Sequence, residues 1–404
     1  GYSQTVANFS GTDGYGWTLQ LGSGTLTVGN STASVSTPAK LISTTGGGVT
    51  KVGTGSINFS QAQIYNGTTQ IDNGTLNFAA NSAAAPLNVV KVNSLGTIEP
   101  ALQTAGQILY INNLSGSGTI KSSGVRTIAI GADNSDSTFS GTINNAVSGG
   151  GLAVVKNGSG TYTFTGSVSN VAGANFLGYT VNGGTLQIGN GTAAGAINYS
   201  SDLLLANNAT VVLNALGAST ISRPIRGTGT LKIAAGDWAI TSSDALPNTA
   251  ASVALDLAAG SSFDMGTGFS RYVSSLSGTG VIKLSTTNSS DKFNVVNAID
   301  NSFAGLISGT GGLIKSGTGA LTLSGNNSYS GGSTITAGTL RAGSATAFGT
   351  AGAMNVASGG VLDLNGQTIS NTTGLTLSGT GLSNGGALIN SATTGVAYAG
   401  FVTL

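Results

Sequence analysis

Three segments of this chain repeat one another, and a chain made of short repeats can bury its apolar residues only by stacking them. The clearest copy spans 311–340 and runs from Gly-Gly-Leu-Ile-Lys-Ser-Gly-Thr-Gly to Ala-Gly-Thr-Leu. A second begins at 49 with Val-Thr-Lys-Val-Gly-Thr-Gly and closes on Gly74-Thr75-Leu76. A third begins at 154 with Val-Val-Lys-Asn-Gly-Ser-Gly and closes on Gly184-Thr185-Leu186. Lysine and closing leucine are equally spaced in two copies (51 to 76, 315 to 340) and further apart in the third (156 to 186). A loop insertion at about 171–179 accounts for the difference. Shorter elements recur between the copies. The stretches 114–121, 225–232 and 276–283 share an apolar strand end, a Gly-x-Gly turn and a closing lysine, Lys121, Lys232 and Lys283. Phe9-Ser10-Gly11, Phe139-Ser140-Gly141 and Phe303-Ala304-Gly305 share a Phe-small-Gly step. Recurrence from end to end predicts one continuous repeat domain over 1–404.

Within a copy the apolar residues alternate. In Ala320-Leu321-Thr322-Leu323-Ser324 the leucines share one face and the threonine opposes them. Strands of about five residues with glycine corners bury little alone, but stacked coils cover one another at about 4.8 Å. Glycine and asparagine suit the corners, and asparagine amides can ladder from coil to coil. The expected fold is all-β, a parallel β-helix with on the order of 16 to 20 coils of about 20 to 25 residues. The competing antiparallel sandwich needs Asn-Gly or Asp-Gly hairpins between matched strands. Asn66-Gly67, Asn73-Gly74 and Asn157-Gly158 fall at fixed places inside the repeat instead.

Composition removes most chemistries. The 404 residues hold 14 Lys+Arg, 13 Asp+Glu, no histidine and no cysteine, for a net charge of +1. Thiolate and imidazole metal sites, Ser-His-Asp and Cys-His pairs are excluded. Glutamate occurs once, as Glu99, so no Glu–Glu acid/base pair exists. The scattered basic residues offer no field for nucleic acid. No stretch approaches the roughly 18 apolar residues of a spanning helix, so the chain is not expected to be membrane-embedded. No cofactor is expected. The chain starts at Gly1 without a charged and apolar leader, as a processed, exported protein would. Sequons such as Asn66-Gly67-Thr68 arise readily in so Asn- and Thr-rich a chain.

The copy at 311–340 resembles the autotransporter-associated β-strand repeat, and the continuation through Val361-Leu362-Asp363-Leu364-Asn365-Gly366 follows passenger domains of that kind. The likeness is strong over 305–392 and weaker at 46–78 and 139–190. It implies a right-handed parallel β-helix, exported and displayed at a bacterial surface or released, and it implies little about activity. The membrane barrel common in such proteins is not found here, and 397–404 reads as a strand broken off mid-repeat with no polar cap.

Candidate sites follow from these residues. Lys51, Lys156 and Lys315, like Lys121, Lys232 and Lys283, are expected to face solvent and disfavour edge pairing; the sharper alternative is a stripe for polysaccharide or phosphate. Asp133 and Asp136 are weak calcium candidates, although Asp300 sits at a matching place before Phe303 and marks a repeat turn. Arg223-Pro224-Ile225-Arg226 is the densest charged cluster, with Asp202 and Asp237 removed from it, and reads as a turn with solvated charge; Asp291-Lys292 and Asp363 are isolated. No catalytic residue is assigned, and a polysaccharide lyase or hydrolase is the least favoured function. The leading expectation is a non-enzymatic extracellular rod that stacks head to tail on copies of itself through Gly1, Tyr2, Tyr15, Trp17, Tyr398, Phe401 and Leu404. The rival is a monomeric adhesin passenger that touches cells or polysaccharide along its side.

Overall fold

The computed structural model describes residues 2–6, 18–29, 32–37, 39–78, 86–100, 108–145, 151–170, 177–192, 202–246, 252–371 and 373–404. Among these residues nearly all regular structure is short β-strand, the ladders traced below are parallel, and the only helical element is a 3-10 turn at Leu382–Asn384. The result is a parallel β-solenoid, as the repeats require. It makes about 15 turns, fewer than expected, because some coils are long. The coil that separates Thr376 from its partner Thr403 is one of these. The chain divides into two compact units, Gly1–Asn190 with Gly195–Thr210, and Gly191–Ala194 with Val211–Leu404.

In the first unit one ladder keeps register through Val6, Val28, Lys51, Ile71, Val92, Gly116, Phe139, Phe164 and Ile188. The shortest step along it runs from Lys51 to Ile71 and the longest from Phe139 to Phe164. In the second unit a ladder runs Ile233, Leu257, Gly278, Phe303, Leu323, Ala342. Another runs Val273, Val295, Lys315, Ile335, Val356, Leu377. Side chains alternate across each strand, so the same face turns inward at every rung; Leu321 and Leu323 are buried while Thr322 is partly exposed. Rings pair along the interior, Phe139 stacked on Phe164 with centroids 6.3 Å apart and Phe59 tilted against Phe78 at 5.8 Å.

The expected asparagine ladder forms on one flank of the first unit. Asn112 Nδ2 donates to Asn88 Oδ1 (3.3 Å), Asn88 Nδ2 to the Asn66 carbonyl (2.9 Å), and Asn66 Nδ2 to the Thr44 carbonyl (3.1 Å).

The repeat copies also share a tyrosine–hydroxyl pair. Tyr65 Oη meets Thr69 Oγ1, and Tyr329 Oη meets Ser333 Oγ, each at 2.6 Å and buried. Both tyrosines keep the same spacing from the repeat lysine, Lys51 to Tyr65 and Lys315 to Tyr329. In the third copy the phenol comes from the other member of the pair. Tyr179 takes the rung that Thr69 and Ser333 take in their copies, opposite Val154 where they oppose Val49 and Leu313. The insertion thus moves a ring to the next strand while an aromatic still fills the coil. Of that insertion, residues 171–176 lie outside the described residues, as does Phe9-Ser10-Gly11.

Phe139→Ala removes a fully buried stacked ring and is expected to cost about 3–5 kcal/mol, whereas the exposed Thr138→Ala stays within about 0.5 kcal/mol. Urea unfolding midpoints of the two variants compare them directly; equal midpoints would show that the ladder does not depend on that ring.

Candidate functional site

The repeat lysines sit at inward rungs, not on the solvent face. Lys51, Lys156 and Lys315 are each 0% exposed, which corrects the expectation that they would be solvated. Their ladder neighbours are apolar: Val28 and Ile71 flank Lys51, Ile130 and Val181 flank Lys156, Val295 and Ile335 flank Lys315. Their position is readable in the residues, since Val49 and Lys51, Val154 and Lys156, and Leu313 and Lys315 share one phase of the period-2 alternation.

Each ammonium is met by three backbone carbonyls. Lys51 Nζ donates to Val52 O (2.6 Å), Gly53 O (2.7 Å) and Asn73 O (3.1 Å). Lys156 Nζ donates to Asn157 O (2.5 Å), Gly158 O (3.0 Å) and Gly183 O (3.4 Å). Lys315 Nζ donates to Ser316 O (2.9 Å), Gly317 O (2.8 Å) and Ala337 O (3.2 Å). The first two acceptors are the next residues in sequence, curled back by a glycine of positive φ at the second (Gly53 +69°, Gly158 +67°, Gly317 +84°). The third comes from the following coil. An ammonium has three donors and no acceptor, so three carbonyls saturate it without a counter-ion.

The glycine of the closing Gly-Thr-Leu roofs this node. A Cβ on Gly338 would lie 2.3 Å from Gly317 O and 2.9 Å from Lys315 Nζ; one on Gly74 would lie 2.4 Å from Gly55 O and 2.8 Å from Lys51 Nζ. Both glycines also have positive φ, +65° and +66°. Lysine and distant glycine in the motif are therefore two halves of one object, which the spacing alone does not reveal.

The second lysine set behaves differently. Lys121, Lys232 and Lys283 are partly exposed and pair with Glu99 (3.3 Å), Asp256 (3.3 Å) and Asp237 (3.9 Å). Exposed pairs of this kind contribute about 0.2–1 kcal/mol each.

Asp133 and Asp136 are joined by no third acidic side chain: no cluster of three or more acidic, His or Cys side chains forms among the described residues. Asp136 Oδ1 accepts the Thr161 amide (2.6 Å), and Asp300 Oδ1 accepts the Ala320 amide (2.8 Å), so the two matched aspartates both join one coil to the next. Asp133 accepts the amide and hydroxyl of Ser135 in its own turn.

Asp363 is not isolated, which corrects the sequence reading. It is fully buried, opposite Arg341 in the ladder, with Arg341 Nε at 2.8 Å, and it accepts the Asn365 amide (2.9 Å) and both the amide (3.0 Å) and hydroxyl (2.7 Å) of Ser391. Burial alone would push its carboxyl up, but Arg341 and the Ser391 and Asn365 donors hold it below the usual range. Asp291 is likewise buried and engaged, accepting from Gly268 N (2.7 Å) and Asn288 Nδ2 (2.9 Å). Arg223, Arg226 and Asp202 are exposed, so their charge is solvated as expected, but Arg226 lies in the strand Ile225–Gly227 and not in a turn.

Of the terminal residues, Tyr2 is 93% exposed, Phe401 72% and Leu404 97%, while Tyr398 is half-buried with its hydroxyl on Thr373 O (3.1 Å). Gly1, Tyr15 and Trp17 lie outside the described residues. No helix among the described residues is long and apolar enough to cross a membrane.

Lys315→Met keeps the rung filled but leaves three carbonyls without their donor, and is expected to cost about 1–3 kcal/mol. Gly338→Ala adds a clash and a left-handed alanine, about 2–5 kcal/mol. Both are read as shifts in denaturant midpoint, with Gly359→Ala, where a Cβ meets open space, as the backbone-only control.

Stability should also depend on alkali in two steps. Burial pushes the Lys315 ammonium from 10.5 down to about 8, against the pull of Asp300, and lowers Lys51 and Lys156 as well. Between those values the unfolded chain binds more protons than the folded one, so stability rises with pH from about 8. Burial raises Tyr65, Tyr162, Tyr179 and Tyr329 above 10.0, so above that value the folded chain holds the extra protons and stability falls. Unfolding midpoints measured across this range are expected to peak near pH 10; a monotonic decline from pH 8 would mean that the lysines titrate normally.

The stretches 49–78, 154–188 and 313–342 match the passenger-associated-transport-repeat family, and in each the lysine node is the third residue. The adhesin BmaC autotransporter of Brucella suis biovar 1 (strain 1330) is 44% identical over 111 residues. That stretch is 25% of this chain and 3% of the Brucella protein, so the chain matches only a small fraction of its relative's length. No solved structure matches. Three stretches of this parallel β-solenoid are thus similar to passenger-associated-transport-repeats, and a quarter of the chain is similar to part of an adhesin autotransporter.

Proposed function

We propose that this chain is a non-enzymatic length of a surface-displayed adhesin, a rigid scaffold that carries lateral contact surfaces to cells or polysaccharide outside the cell. The observation that supports this most is the ladder itself. Inward rungs hold register through coil after coil, and the charges placed inside them are consumed by backbone carbonyls or by one another. Asp136, Asp300 and Asp363 are spent on joining coils, which suits a support more than a reaction centre. Passenger similarity suggests a cell-surface or extracellular location. The head-to-tail polymer is the second reading. It draws on the exposure of Phe401 and Leu404 beside the strand Val402–Thr403.

Folded, labelled chain applied to cultured animal cells, matrix-coated wells and polysaccharide films should be retained saturably on at least one of them, and heat-unfolded chain should not. Retention no better than that of the unfolded chain would overturn the adhesin reading. Light scattering after size exclusion separates the polymer: a monomer at high concentration is expected, and concentration-dependent fibres would favour head-to-tail stacking.

A further inference from the structure

The lysine nodes place an ammonium on the carbonyl of an Asn–Gly peptide in two of the three repeats. Lys51 Nζ lies 3.1 Å from Asn73 O, the carbonyl of the Asn73–Gly74 peptide. Lys156 Nζ lies 2.5 Å from Asn157 O, the carbonyl of Asn157–Gly158. A cation on an amide oxygen stabilises the imidate that forms when the neighbouring N–H is lost. A favourable charge that shifts that acidity by about one pKa unit yields about tenfold more anion at fixed pH.

The side-chain amides are also placed for use. Gly74 N donates to Asn73 Oδ1 at 2.7 Å, so the carboxamide of Asn73 is folded over the nitrogen that follows it. At the other node Asn182 Nδ2 donates to Asn157 Oδ1 at 2.9 Å, where it would stabilise negative charge developing on that oxygen. Both attacking nitrogens belong to glycines, which put no side chain in the path.

We propose that Asn73 and Asn157 are modification sites that deamidate selectively in the folded protein, each activated by the buried lysine of its own node. The Gly74 nitrogen loses its proton to solvent base and bonds to Asn73 Cγ. The Cγ–Nδ2 bond breaks and, with a proton from water, the side-chain nitrogen leaves as ammonia. Water then opens the cyclic imide at either carbonyl to give aspartate or isoaspartate. Asn157 and Gly158 react in the same way. Nothing is oxidised or reduced, and the co-reactant is water. The product carries a carboxylate beside a lysine that previously met only neutral acceptors.

Asn66–Gly67 and Asn365–Gly366 are internal references. The Asn66 carbonyl accepts from the neutral Asn88 amide, and its side chain is held at both ends by Gly46 N and Thr44 O. Gly366 N donates away from its own asparagine, to Asn390 Oδ1 (2.8 Å). The third node has Ser316 where the second has Asn157, with its carbonyl 2.9 Å from Lys315 Nζ, and so can receive the site by substitution.

The test is prolonged incubation of the folded chain near neutral pH, followed by peptide mapping by mass spectrometry, with the urea-unfolded chain in parallel. Asn73 and Asn157 should convert on the order of tenfold faster than Asn66 and Asn365 in the folded chain, and the advantage should vanish in urea. Lys51→Met should remove the advantage at Asn73 and leave Asn157 unchanged. Ser316→Asn should create a fast site at 316 without removing any lysine, which covers the case that Lys51→Met fails to fold. Folded-state rates at Asn73 and Asn157 no higher than at the references, a rate at Asn73 that is unchanged or raised in Lys51→Met, or a slow site at 316 would each overturn the proposal.

Discussion

An ammonium in an apolar interior loses its hydration, a penalty of several kcal/mol even after the surroundings relax. This solenoid accepts that penalty at three inward rungs and offsets it with carbonyl oxygens rather than with carboxylates. The choice has geometric consequences that run through the repeat. Two acceptors come from the residues just after the lysine, which forces the chain to turn at once and demands glycine at the second. The third comes from the next coil, which fixes where that coil must pass. The roof over the ammonium leaves no volume for a side chain, so Gly74 and Gly338 follow from Lys51 and Lys315, and at the other node a Cβ on Gly184 would meet Gly158 O, an acceptor of Lys156. A motif whose ends lie a full coil apart in sequence is thus held together by one small polar cage.

The rest of the interior is cooperative packing around those cages. Tyrosine and a hydroxyl partner fill the space after the lysine in two copies, and Tyr179 enters from the other position in the third. Matched aspartates, Asp136 and Asp300, tie the strands after Lys156 and Lys315 to the coil before each. These groups are already committed to the backbone and to one another.

The architecture is legible in the residues because stacking is the only way strands such as 320–324 can bury their leucines, and the Gly-Thr-Leu endings make the period visible. The environment of the lysines is harder to read. Lysine's usual place on a surface masks the alternation that puts Lys51 in phase with Val49. Asp363 is hidden for a different reason. Its partners, Arg341 and Ser391, lie a coil away on either side, and sequence separation conceals neighbours that stacking brings together. Tyr179 shows a further limit, since a ring can change strands across an insertion and still fill the same coil.

The third acceptor of each node has one more consequence. In every copy it is supplied by the coil on the C-terminal side: Asn73, Gly183 or Ala337. A coil pulled away from that side uncovers the ammonium and lets water reach it, whereas loss of the coil on the N-terminal side leaves all three contacts standing. The repeat is therefore polar under load. Pulled from one end it gains hydration at each lysine as it unravels; pulled from the other it must give up packing first and keeps its cages shut.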